Sequence, residues 1–332
     1  MTAPLHDSGT ATLEVTADPA AAPAKIVGRS PGRIAWDRLK RDKVALGGGI
    51  VVLLLILVGI LAPVLCAIEG QNPDDFHSNL LNTDLGIGLP NGSFGGISAS
   101  HWLGLEPSTG RDIFARIVYG AQISLIVAFG AAALAVVIGV LLGMAAGFLG
   151  GWVDTLVSRS MDVLLSFPQL LFSIALVSVV PAKLFGMGGS SPRIMVLIFV
   201  IGFFGWPYIG RIVRGQTLSL REREFVEAAR SLGAGRIHIL IKELLPNLVA
   251  PILVYTTLMI PTNILNEAAL SFLGVGVQPP TPSWGQGLSD AIQYYTIDLP
   301  DLLIPGLAIF VTVLAFNLFG DGLRDALDPK GN

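Results

Sequence analysis

The stretch REREFVEAARSLGAGRIHILIKELLP, residues 221–246, sets five bases (Arg221, Arg223, Arg230, Arg236, Lys242) among four acids (Glu222, Glu224, Glu227, Glu243). Long uncharged runs border it at 194–210 and 244–266. At about 100° per residue, Leu218, Phe225, Ala228, Ala229 and Leu232 share one helix face, and Arg223, Glu227 and Arg230 lie opposite. Gly233 follows where a helix end favours left-handed backbone. Pro246 stands where a new helix can start. The segment therefore reads as a short amphipathic helix, a turn, and a second helix entering the next apolar run.

Outside this stretch the chain is suited to lipid. Apolar residues make up 52% and charged ones 14%, against about 25% charged in an average soluble chain. Uncharged runs at 44–68, 117–153, 163–182, 194–210, 244–266 and 302–320 are near the length that crosses a hydrocarbon layer of about 30 Å. They predict an all-α, polytopic membrane protein with six spans. Pro168 and Pro207 stand near expected span ends, where irregular backbone costs least. The first run follows a polar lead of 43 residues and has Pro63-Val64-Leu65 before Cys66. It reads as an anchor helix and not as a cleaved or lipoprotein signal.

Charge asymmetry orients the bundle. With the N-terminus inside, 17 Lys and Arg fall in cytoplasmic segments and four (Arg111, Arg116, Lys183, Arg193) outside; positive charge favours the cytoplasm. The expected organisation is a cytoplasmic tail (1–43), an anchor helix (44–68), an extracytoplasmic loop (69–116), a five-helix core (117–320) enclosing the cytoplasmic loop 211–243, and a cytoplasmic tail (321–332). Roughly the first 25 residues read as disordered. The basic cluster Lys25, Arg29, Arg33, Arg38, Lys40, Arg41 and Lys43 reads as a lipid-facing flank and not as a nucleic-acid site. The loop 69–116 is polar and glycine-rich; it reads as at most a small extracytoplasmic lobe, too short and glycine-rich for a firm core.

No catalytic set is visible. The chain has no Gly-Lys pair, so it lacks the usual lysine-bearing phosphate loop. Its four histidines are scattered and its one cysteine has no partner, so neither a metal, a cofactor nor a disulfide is expected. No carboxylate is expected mid-span. Ala131, Ala135, Gly139, Gly143 and Gly147 form a ladder of small residues that lets a second helix approach closely, whether from this chain or a partner. Polar residues inside apolar spans offer a translocation path: Gln169, Thr256, Thr262, Asn263 and Asn317. Hydrogen bonding between helices is the alternative for each.

Glu227-Ala228-Ala229, three residues, Gly233 and then Leu245-Pro246 resembles the EAA loop of membrane subunits of ATP-binding-cassette (ABC) importers, although Glu243 stands where that pattern has Ile. HWLGLEPSTGRDIFARIVYGAQISL (101–125), GGWVDTLVSRSMDVLLSFP (150–168), SFLGVGVQPPTPSWG (271–285) and LAFNLFGDGLRDALDP (314–329) are similar to the second, C-type, permease of dipeptide, oligopeptide and nickel importers. The resemblance covers roughly 30–329. It implies the type I importer permease fold. It also implies a heterodimer with a second permease, two ATPase subunits carrying the hydrolysis, and an extracytoplasmic solute-binding protein. Glu227, Ala228, Ala229, Gly233, Leu245 and Pro246 become the ATPase-coupling residues. A second EAA, Glu267-Ala268-Ala269, has the wrong spacing to Gly274 and falls in a segment read as external. A secondary transporter or channel working alone, or a passive scaffold, are the competing functions; the first predicts intramembrane charges.

Overall fold

The structure is a computed structural model that describes residues 31–83, 86–179 and 190–328. The expected disordered tail and the bases Lys25, Arg29, Lys183 and Lys330 lie outside the described residues.

A short helix α1 (Pro31–Leu39) precedes α2 (Lys43–Ile60). Asp42 caps α2, accepting from the Val44 and Ala45 N–H groups at 2.9 and 3.0 Å. The run expected as one helix over 44–68 breaks at Leu61, and α3 (Ala62–Glu69) starts with Pro63 in its first turn. Proline is tolerated there because its missing N–H would have no helical partner. A two-residue hairpin, β1 (Leu81–Asn82) and β2 (Leu89–Pro90), lies in the loop that follows. Next comes α4 (Ile113–Leu149), about 55 Å long at 1.5 Å per residue.

α5 (Gly151–Ser166) and α6 (Gln169–Ser178) meet at 82°. The cause is Phe167-Pro168: a residue before proline is pushed out of the helical region, and Phe167 is extended at φ −78°, ψ 136°. After α7 (Ser191–Leu220) and α8 (Glu224–Ser231) comes a helical stretch made of α9 (Arg236–His238), a π turn (Ile239–Leu244) and α10 (Leu245–Phe272). The chain then forms α11 (Trp284–Ala291) and α12 (Leu299–Leu327). Five stretches are long and apolar enough to cross a bilayer, namely α2, α4, α7, Arg236–Phe272 and α12; α5 with α6 as one bent span makes six.

Two boundaries differ from expectation. α7 continues past 210 to Leu220, so Pro207 is buried inside a helix and not near its end. Along this continuation its arginines meet acids on α5: Arg211 Nη2 lies 2.7 Å from Asp162, and Arg214 holds Asp154 with Nη2 at 2.8 Å. Pro246 sits in the first turn of α10, but helical backbone already runs from Arg236. Its absent N–H falls next to the change from π to α hydrogen bonding.

The small-residue ladder packs within this chain, α4 against α7. A Cβ built on Gly143 would stand 2.6 Å from the Gly210 carbonyl oxygen, and one on Gly147 2.7 Å from the Thr217 Cβ. From the facing helix, a Cβ on Gly202 would stand 2.7 Å from the Ala131 carbonyl oxygen. Val52, Ala128, Ile264 and Phe316 join α2, α4, α10 and α12 into one core.

Candidate coupling surface and the polar cluster at the opposite end

At the C-terminal end of α4 the chain builds a small exposed platform. Arg221 closes α7 and donates from Nη1 to the Gly147 carbonyl at 2.9 Å. Arg223, extended at φ −83°, ψ 150°, starts α8. Val226, fully buried, anchors α8 among Val213, Ile239, Leu244 and Leu248, with Ala229 and Leu245 at the margin. One continuous helix from Leu218 would instead turn Leu232 inward. The break at 221–223 rotates α8, so Val226 faces the core and Leu232 is 89% exposed.

Gly233 has φ +81°. Its N–H donates to the Arg230 carbonyl at 2.9 Å, and the Ala234 N–H to the Ala229 carbonyl at 3.0 Å. This Schellman pair satisfies carbonyls that a helix end leaves open. Glu227, Ala228 and Pro246 are exposed, and among the described residues Glu227 forms no ion pair with Arg223 or Arg230. The Arg230 guanidinium instead lies 5.7 Å from the Phe148 ring centroid. Leu232, Ile237 and Ile241, within the ten residues that follow α8, are also exposed, so apolar side chains and a free carboxylate occur on the same short stretch of chain.

The polar span residues are spread over α6, α10 and α12. Asn263 is buried and donates from Nδ2 to the Ala128 carbonyl at 3.1 Å, fastening α10 to α4. Thr256 donates to the Ile252 carbonyl of its own helix at 2.6 Å. Thr262 and Asn317 are exposed and Gln169 is half-buried. No hydrogen bond joins any two of the five among the described residues.

The opposite end, around the N-terminus of α4, was not foreseen. The segment 69–116 is organised by buried charge and not by an apolar core. Glu106, Arg111, Asp112 and Arg116 are each at most 6% exposed. Arg111 Nε donates to Glu106 Oε2 at 2.7 Å, and Arg116 pairs with the other oxygen. His101 and His77, expected to be unrelated, meet edge to face at 4.8 Å, and His101 Nδ1 lies 2.8 Å from Asp112. Asp112 also caps α4 through the Ala115 N–H at 2.8 Å. One signal pointed here: Arg111 and Arg116 are the only bases among six acids in this segment.

Glu267 needs a further correction. It is not in an external loop but inside α10, fully buried, accepting from Ser124 and Ser271 at 2.8 and 2.7 Å. A buried carboxyl therefore does lie within a spanning helix, and neighbouring serines make that tolerable.

Five or six apolar spans carrying an exposed short helix at one end and a charged cluster at the other define a polytopic helical membrane protein. The chain belongs to the family described as binding-protein-dependent transport system inner membrane component, whose family model matches residues 139–331. The model for the N-terminal TM domain of oligopeptide transport permease C matches residues 30–82. The chain is 42% identical to the dipeptide transport system permease protein DppC of Alkalihalophilus pseudofirmus, over 91% of this chain and 90% of that one. It is 43% identical to the glutathione transport system permease protein GsiD of Escherichia coli, over 91% of each chain. A solved chain of the MetNI methionine ABC transporter, in inward-facing form, shares the fold with a TM-score of 0.51 at 20% identity, covering 65% of this chain and 98% of that chain. The protein is a C-type permease subunit of an ABC importer, an inner-membrane component and not an enzyme, and it works in an assembly that includes an ATPase.

Proposed function

We propose that this chain pairs with a second permease to form the path by which short peptides enter the cell. Two ATPase subunits supply the energy, and an extracytoplasmic solute-binding protein delivers the cargo. The observation that carries the coupling role is the α8 platform: Glu227 and Ala228 stand exposed on a short helix whose exit is fixed by Gly233 at φ +81°. Small side chains let a helix settle into a cleft, and an unpaired carboxylate with apolar neighbours gives a docking face both charge and contact area. Leu245 and Pro246 join that platform to the next span. The peptide reading is supported by relatives whose names specify a dipeptide and glutathione. The 17-to-4 distribution of bases supports an inside N-terminus, an inside C-terminus and a cytoplasmic α8.

The test is uptake by the whole complex in proteoliposomes, with labelled dipeptide, glutathione and a nickel complex compared. ATP-dependent uptake of peptide over nickel supports the reading; nickel uptake alone overturns it. For orientation, a cysteine at exposed Ser93 should react with an impermeant thiol reagent in intact cells, and one at exposed Ser231 only after lysis. Reaction at 231 in intact cells would invert the topology.

A further inference from the structure

At the end opposite α8 lies a cavity of about 390 Å³ walled in part by Glu106, Thr109, Arg111, Asp290, Tyr294 and Asp301. Its charges do not balance. Glu106 is saturated: Arg111 Nε and Thr109 Oγ1 donate to Oε2 at 2.7 and 2.9 Å, and Arg116 pairs with Oε1. Arg111 continues to Asp290 Oδ2 at 3.4 Å, where Gln286 Nε2 also donates at 2.9 Å. The other Arg116 nitrogens go to Gln286 Oε1 at 2.8 Å and to the Pro73 and Pro280 carbonyls at 3.3 and 3.4 Å. Both guanidinium groups are thus engaged without Asp301.

Asp301 is 6% exposed and lines this cavity, yet its carboxyl holds no hydrogen bond among the described residues. The carboxyl opens onto the cavity with no donor from the described residues to hold it, whereas the charged side chains of largely buried residues ordinarily have partners. Asp290 feels the same surplus: burial first, then the Glu106 carboxylate, raises its pKa above the usual carboxylate range. A calcium ion would want six or more oxygen ligands, but Glu106 and one oxygen of Asp290 are already occupied by donors. A primary ammonium brings one charge and three N–H donors. That matches one unpaired carboxyl beside a second that is half used.

We propose that this cavity binds a primary ammonium group between Asp301 and Asp290, and that during import the group is the amino terminus of the arriving peptide. The second clause rests on the peptide reading above; the first does not.

The experiment uses the complete complex in nanodiscs without the binding protein and follows ligand binding by saturation-transfer NMR. Methylammonium and Ala-Ala should bind saturably and compete with each other, while N-acetyl-Ala-Ala should bind at least tenfold more weakly. Asp301→Asn should weaken Ala-Ala at least tenfold. Asp290→Asn, at a more exposed position, should weaken it in the same direction if the first variant assembles poorly. Equal binding of the acetylated peptide, or unchanged binding in both variants, overturns the site. Methylammonium binding that depends on Asp301, in a complex that imports no peptide, supports the ammonium site and overturns the peptide reading alone.

Discussion

The Ser124 hydroxyl donates to the Glu267 carboxyl at 2.8 Å, and through it α4 is fastened to α10 inside the bundle. Ser271 donates to the other carboxyl oxygen at 2.7 Å and accepts from the Val277 N–H at 3.0 Å, so the turn after α10 is tied into the same knot. Glu267→Ala removes the acceptor shared by both hydroxyls. Each buried hydroxyl left unsatisfied costs about 1–3 kcal/mol. The purified complex should melt several degrees lower in detergent, while Glu267→Gln, which keeps an acceptor oxygen, should lose less. An Ala variant with an unchanged melting point would show that the carboxyl holds nothing together.

The ladder on α4 predicts a contrast between two glycines. At Gly143 a new Cβ would stand 2.6 Å from the Gly210 carbonyl oxygen, whereas at Gly215, exposed on α7, no atom lies within 4 Å. Gly143→Ala should destabilise by about 1–3 kcal/mol because a packed backbone must move apart. Gly215→Ala should stabilise by about 0.5–1 kcal/mol, since alanine loses less backbone freedom in a helix. Thermal melts of the two variants should move in opposite directions. A common direction would refute the close approach of α4 and α7.

A pH effect is expected in the segment after α3. Burial first, with the Asp112 carboxylate beside it, lifts the Glu69 pKa to about 7, against the Trp102 N–H that donates to it at 2.8 Å. The folded segment therefore binds this proton more readily than the unfolded chain. Its contribution to stability is fully present at low pH, falls as pH rises from the usual carboxylate range through about 7, and is flat above that. Hydrogen exchange in residues 70–112, corrected for intrinsic rates, should show more frequent opening at pH 8 than at pH 5. Glu69→Gln should flatten the difference, and an unchanged slope in that variant would place the titration elsewhere.

The spans were legible because only a long uncharged run can cross lipid, and the Gly233 turn because few other residues accept its backbone. Val226 was not legible. Periodicity assumes one unbroken helix, and a three-residue break re-aims every side chain beyond it. Glu267 was misread for a related reason. Asn263, Asn266 and Glu267 look like an exit from the membrane, and only tertiary partners on α4 let α10 carry them inside. The Arg111 and Arg116 side chains join the start of α4 to α11 across 170 positions of sequence or more. Local pattern carries no information on such pairings.

The coupling reading makes the sharpest prediction. Gly233 has φ +81°, and a Cβ added there would meet no atom within 4 Å, so a substitution meets backbone strain and not a clash. A β-branched residue in that conformation costs on the order of 1–2 kcal/mol or more. Gly233→Val should relieve the strain by breaking the Schellman pair, which tilts α8 away from its seat. Glu227→Lys acts differently: it leaves the fold intact but reverses an unpaired charge on the platform, and docking should weaken about tenfold or more. Gly274→Val is the control, because Gly274 has a similar φ of +76° but lies at the far end of α10. Glu267 cannot serve as a control, since its replacement disturbs the core. The measurement is co-purification of the ATPase together with substrate-stimulated hydrolysis in reconstituted membranes. Loss of attachment or coupling in Gly233→Val and Glu227→Lys, with Gly274→Val retaining its ATPase, is the expected result. Normal attachment and coupling in both α8 variants would remove that helix from the energy-transfer path.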